Sequence, residues 1–198
     1  EARTAIVTVA RGLAAQREDM DAEALRILIL TFDQIDDDGA RRIGEAISGC
    51  MGLRVLYLEG NYIGDIGVKS LQPSLRSLLS LQELDLSSNR IGDDGAVAVA
   101  DALWGSLELT VLHLDLNHIG DLGALRLAEG LRGCLKLEEL GLGSNVIGDA
   151  GGRAIASSLA ECPKLELVAL AYNNITPEAA ADVRKTLADK HDLAEDDS

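Results

Sequence analysis

A chain of 198 residues has room for one domain or two small ones, and its 33 acidic side chains against 18 Lys and Arg leave a formal charge of −15. That balance excludes a nucleic-acid or anionic-membrane surface, both of which need clustered positive charge, and a hydrophobic content of 47% excludes disorder. Three cysteines are too few for a disulfide scaffold and their odd number points to free thiols in a reducing, cytoplasmic compartment, while no apolar run approaches the ~20 residues of a membrane span.

The chain opens at Glu1 rather than Met, which points to processing or to a piece of something longer. Ile6, Val9, Ala10 and Leu13 have the spacing of an apolar helical stripe, so residues 1–24 read as a helix and loop capping the N-terminal edge of the fold. From there the chain repeats. Leu25, Leu53, Leu81, Leu109, Leu137 and Leu165 are each 28 apart, as are Asn61, Asn89, Asn117, Asn145 and Asn173, with Asp33 in the same place in the first unit. Positions four and six of each unit are apolar (Leu56 and Leu58, Leu84 and Leu86, Leu140 and Leu142), as in a short strand with one buried face.

The asparagine at position nine follows that strand into a turn, where a buried amide can bond backbone groups that the turn leaves open. Gly64-Asp65, Gly92-Asp93, Gly120-Asp121 and Gly148-Asp149 come next and suit a helix N-terminus, as does Thr176-Pro177-Glu178-Ala179 in the last unit. Stripes such as Ala96, Val99, Ala100 and Leu103 then predict helices with one buried face. Pro73 is expected to kink or delay the helix of the second unit. Cys50, Cys134 and Cys162 share one position, the last turn before the next strand, and read as core thiols. No CxxC pair or His cluster suggests a metal, and no cofactor is expected. The six units take residues 25–190, and 191–198 read as an acidic tail, fraying from Asp189 onwards.

The motif L-x-x-L-x-L-x-x-N-x-I, written LRVLYLEGNYI in the second unit and LQELDLSSNRI in the third, resembles a leucine-rich repeat. Its 28-residue period is similar to the ribonuclease-inhibitor-like subclass, which includes Ran GTPase-activating protein and NOD-like receptors. The resemblance implies an α/β, right-handed solenoid: a horseshoe arc with the parallel sheet on the concave face and helices on the convex face.

Outward side chains of such strands stack in columns. Position three gives Ile27, Val55, Glu83, Val111, Glu139 and Leu167; position five gives Ile29, Tyr57, Asp85, His113, Gly141 and Ala169; position seven gives Thr31, Glu59, Ser87, Asp115, Gly143 and Ala171. The middle of this face is acidic (Glu59, Glu83, Asp85, Asp115, Glu139) with Tyr57 and His113 set among the carboxylates, and no Lys or Arg falls in the columns. Phe32 and Tyr172 stand at strand exits in a chain with 3% aromatics. They read either as contact residues for a partner or as shields for the ends of the stack.

These residues predict a non-catalytic protein-interaction module, a scaffold or assembly subunit, whose partner is a basic protein drawn to the acidic, aromatic concave face. Trp104, late in an outer helix, marks either a convex contact or a partly buried helix end. His113 near Asp85 and Asp115 has the ingredients of a base with an orienting acid, but no nucleophile or oxyanion hole accompanies it. The resemblance also offers two other readings, a GTPase activator with Arg90 at the strand-exit rim, and the sensor repeats of a NOD-like receptor.

Overall fold

The computed structural model describes residues 25–159 and 162–195. The expected capping helix in 1–24 and the end of the tail lie outside these residues. Among the described residues six three-residue strands alternate with six helices: β1 (Ile27–Ile29), α1 (Asp37–Ile47), β2 (Val55–Tyr57), α2 (Asp65–Ser77), β3 (Glu83–Asp85), α3 (Asp93–Leu103), β4 (Val111–His113), α4 (Asp121–Leu131), β5 (Glu139–Gly141), α5 (Asp149–Leu159), β6 (Leu167–Ala169) and α6 (Pro177–Glu195). All strands pair in parallel in sequence order, each residue opposite the one 28 positions on, as in Leu56↔Leu84. The result is the α/β solenoid expected, with the narrower strands on the concave side because helices need ~10 Å of width and strands ~4.8 Å.

The core lies between the two layers. Leu53, Leu56 and Leu58 of the second unit, and Leu109, Leu112 and Leu114 of the fourth, are 0% exposed. The isoleucine two residues after Asn61, Asn89, Asn117 and Asn145 (Ile63, Ile91, Ile119, Ile147) is equally closed to water. Helices supply small inner residues, and neighbouring helices approach so closely at one point that a Cβ on Gly130 would stand 2.9 Å from Ala100. The three cysteines are buried, Cys134 and Cys162 donating weakly to the carbonyls of Leu103 and Leu131 at 3.6 and 3.7 Å.

The asparagines join one unit to the one before. In Asn117, Oδ1 accepts from the Ile91 N–H at 2.9 Å, while Nδ2 donates to the carbonyls of Leu86, Leu114 and Asp115. Asn61, Asn89 and Asn145 repeat the pattern on their own neighbours.

A second ladder joins the helix starts. The aspartates after Gly64, Gly92, Gly120 and Gly148 sit in the first helical turn, as expected, but their carboxylates serve the next helix. Asp37 Oδ1 accepts from the N–H groups of Gly64 and Gly67, Asp65 from Gly92 and Gly95, Asp93 from Gly120 and Gly123, and Asp121 from Gly148 and Gly151. Each helix N-terminus therefore gets the side-chain acceptor that its own glycine cap lacks. The second glycine makes room: a Cβ at Gly67, Gly95, Gly123 or Gly151 would lie 2.6 or 2.7 Å from that carboxylate oxygen. Helix α1 differs, its own Asp36 accepting from the Gly39 N–H at 2.9 Å. At the other end the N–H and hydroxyl of Thr176 bond Asp149 and hold its carboxyl below the usual carboxylate range.

Two expectations need correction. Pro73 does not interrupt its helix, since α2 runs unbroken from Asp65 to Ser77. The proline lies on the exposed side, where water can reach the carbonyl that loses its donor. Buried Leu71 and Leu75 hold the turn on either side, and Ser74 Oγ donates to the Gly44 carbonyl of α1 at 2.7 Å. The final helix also continues past residue 190, to Glu195, because the segment rich in Ala, Leu, Lys and Glu contains no Gly or Pro to stop it.

Candidate functional site

Strand register puts Val55, Glu83, Val111 and Glu139 in one row and Tyr57, Asp85, His113 and Gly141 in the next. Apart from buried Gly141, these residues are half-buried in the middle of the face, whereas Ile27, Ile29 and Leu167 at its ends are exposed.

The middle is a hydrogen-bonded cluster across β2 to β5. Tyr57 Oη donates to Glu83 Oε2. This bond, then burial and the charges of Glu83 and Asp85, push the Tyr57 phenol up to about 12, so it stays a donor. His113 Nε2 lies 3.1 Å from Glu139 Oε1; Nδ1 is 3.8 Å from Asp85 Oδ2, too far for a hydrogen bond. Asp85 Oδ1 accepts instead from the Ser87 N–H at 2.8 Å, and Asp115 Oδ1 from the Gly143 N–H at 2.6 Å. Gly141 is glycine for want of space: a Cβ there would stand 2.0 Å from Asp115 Oδ2 and 3.0 Å from the His113 ring.

In the sequence columns these carboxylates face one another with no Lys or Arg beside them. In the structure Glu83, Asp85, Asp115 and Glu139 each have a partner supplied by the sheet itself: a phenol, an imidazole or a backbone N–H. None of these donors is a Lys or Arg, so the charges in the columns do not reveal them. Glu59 lies on the same face, half-buried, nearer β1. The cluster is negative, ordered and open on one side. Its one phenol is engaged with Glu83, and among the described residues no group of three or more His, Cys, Asp or Glu is placed to hold a metal ion.

Phe32 and Tyr172 are not part of this cluster. They occupy position eight, where every unit turns out of its strand with positive φ: Phe32 57°, Gly60 68°, Ser88 54°, Leu116 55°, Ser144 54° and Tyr172 58°. A bulky side chain in this region is strained. Phe32 and Tyr172 are nevertheless 68% and 86% exposed at opposite ends of the rim, and Leu116, 57% exposed, stands between them. Leu116 was legible from its frame position but carries no aromatic ring to draw attention to it. The Phe32 ring lies over Gly60, where a Cβ would come within 2.3 Å of two ring carbons.

On the helix-entry side of the rim, the Arg90 guanidinium stacks 4.6 Å from the Tyr62 ring centroid. Trp104, the C-cap of α3, is 69% exposed on the opposite edge, so the partly buried helix end does not hold for it. At the C-terminal end of the stack a cavity of about 380 Å³ opens between β6 and α6, lined by Val168, Leu170, Tyr172, Ile175, Val183 and Arg184. It is the unfilled space beside the last repeat.

A family described as "Leucine Rich repeat" matches four stretches, residues 49–71, 77–100, 108–128 and 133–156. No curated protein sequence matches the chain. Among solved structures it is similar to the leiomodin-1 actin-binding site 2, with a TM-score of 0.59 at 16% identity over 93% of this chain and 95% of that one. It is also similar to the tropomodulin C-terminal domain of Caenorhabditis elegans, with a TM-score of 0.56 at 14% identity over 96% and 95% of the two chains. At these identities the likeness is one of fold.

Proposed function

The chain is a leucine-rich repeat protein, and we propose that it acts as a non-catalytic interaction module presenting its concave sheet face to a basic protein partner. The observation that carries this reading is the cluster of Tyr57, Glu83, Asp85, His113 and Glu139, a negative surface spread over four adjacent strands on a rigid support. Because its carboxylates are already oriented by neighbouring donors, a Lys/Arg-rich ligand meets acceptors that need little further ordering. Phe32, Leu116 and Tyr172 on the rim add exposed apolar area beside it. The leiomodin-1 fragment, whose name gives it an actin-binding site, supports the use of such a fold for binding a protein. Buried thiols fit a reducing, cytoplasmic setting.

A GTPase-activating role draws no support from Arg90, which is stacked on Tyr62. The direct experiment measures a Lys/Arg-rich peptide, selected for binding to this protein, against two variants. Glu83→Lys/Asp85→Lys should abolish binding, Trp104→Ala should leave it unchanged, and the affinity should fall as salt rises. Binding that survives charge reversal and disappears with the tryptophan would sink the concave-face reading.

A further inference from the structure

The edge of the solenoid where each helix returns to the next strand carries a row of apolar side chains that the core does not use. Met51, Leu79, Leu107 and Leu135 occupy one frame position in four successive units and are 50%, 70%, 65% and 53% exposed. Two residues further on, Leu53, Leu81, Leu109 and Leu137 are closed to water, at 0% or 1%. The turn itself asks for no apolar side chain: it is made by backbone bonds such as Met51 N–H to the Gly49 carbonyl and Leu135 N–H to the Gly133 carbonyl. Trp104 stands on the same edge, three residues before Leu107. Neighbouring members are separated by the layer spacing, roughly 5 Å on the strand side and 10 Å on the helix side, so they form one continuous strip. Strips of this kind on a soluble domain mark contact surfaces.

Charge indicates what the strip faces. Although the chain is strongly acidic, its edge segments 48–54, 76–82, 104–110 and 132–138 carry Arg54, Arg76, Arg132 and Lys136 against Glu108 and Glu138. Glu108 is taken up by Lys136 at 2.7 Å. Arg76 Nη2 donates to the Asp101 carbonyl at 3.0 Å and Arg132 Nε lies 3.3 Å from Ser158 Oγ. Both guanidiniums are thereby held in place with further N–H donors to offer. The opposite edge carries Asp37, Asp65, Asp93, Asp121 and Asp149.

We propose that this edge is a second docking surface, distinct from the acidic sheet face, for an acidic amphipathic protein helix whose apolar side chains lie on the strip and whose carboxylates meet Arg54, Arg76 and Arg132. A helix turn of about 5.4 Å falls within the row spacing, so successive turns meet successive units. An anionic membrane offers similar chemistry in outline, but it repels a molecule whose remaining surface is acidic.

Trp104, the single tryptophan, is a built-in reporter. Two libraries of helical peptides free of Trp and Tyr share one Leu/Phe pattern and differ only in having Asp/Glu or Lys/Arg at the polar positions. The protein should enrich the acidic library, and the selected peptides should shift Trp104 emission to the blue. Their affinity should fall about tenfold or more in Leu79→Ser/Leu107→Ser and in Arg76→Glu/Arg132→Glu, as when central contacts are removed. Circular dichroism checks that these surface variants are folded. The proposal fails if acidic peptides are not enriched, if the edge variants bind them equally well, or if phosphatidylserine vesicles shift the emission and the peptides do not.

Discussion

Asn117 shows how much one side chain contributes in this fold. Its amide satisfies an N–H and a carbonyl of the preceding unit as well as two carbonyls of its own, all buried except the partly buried bond to Asp115. Asn117→Ala should therefore lower the unfolding free energy by about 1–3 kcal/mol, read from the urea midpoint, because buried backbone groups lose their partner. An unchanged midpoint would mean that the amide is replaceable by water. The thiol of Cys134 is pushed up to about 11 by burial, so it should label slowly in folded protein and quickly in denaturant.

Tyr57 carries the pH dependence of the sheet face. Its phenol titrates near 10.0 when unfolded and near 12 when bonded to Glu83. Its contribution to stability is complete below about 10 and disappears as the pH rises towards about 12. In Tyr57→Phe the latest step of tyrosinate absorbance should be missing, whereas its persistence would place the Tyr57–Glu83 bond elsewhere. The place of the asparagine was legible from its period. The partners of the carboxylates were not, because Tyr57 and Glu83 stand in different columns of the frame and meet only through a diagonal side-chain contact.

At the scale of the element, strands and helices were readable because hydrophobic period and cap residues agree in every unit. The direction of capping was not readable: a Gly-Asp pair looks like a local helix start, yet its carboxylate reaches 27 and 30 residues forward. Asp93→Ala should therefore destabilise the start of α4 rather than of α3, at a cost of about 1 kcal/mol, typical of a lost cap. Amide exchange should quicken at Gly120 and Gly123 while the first turn of α3 keeps its protection. Faster exchange confined to α3 would return Asp93 to its own helix. Pro73 shows a related effect, since an exposed proline is tolerated in a helix whose buried side is well packed.

At the scale of the whole molecule, asparagine and aspartate ladders tie each unit to the next, so the stack behaves as a single support rather than a string of loose modules. Its surfaces differ in kind: an acidic ordered sheet face, a rim with exposed Phe32, Leu116 and Tyr172, and a basic, apolar edge near Trp104. Columns on the sheet face could be read from the 28-residue frame. The apolar edge was not legible, because leucines close to a buried leucine pass for core until their exposure is known. The most direct test of the proposed function is an amide footprint of the protein bound to its selected Lys/Arg-rich peptide. Protection and shift changes should concentrate on β2 to β5, at residues 57, 83, 85, 113 and 139, and fade as salt is added. Changes confined to the outer helices, with those strands unmoved, would contradict it.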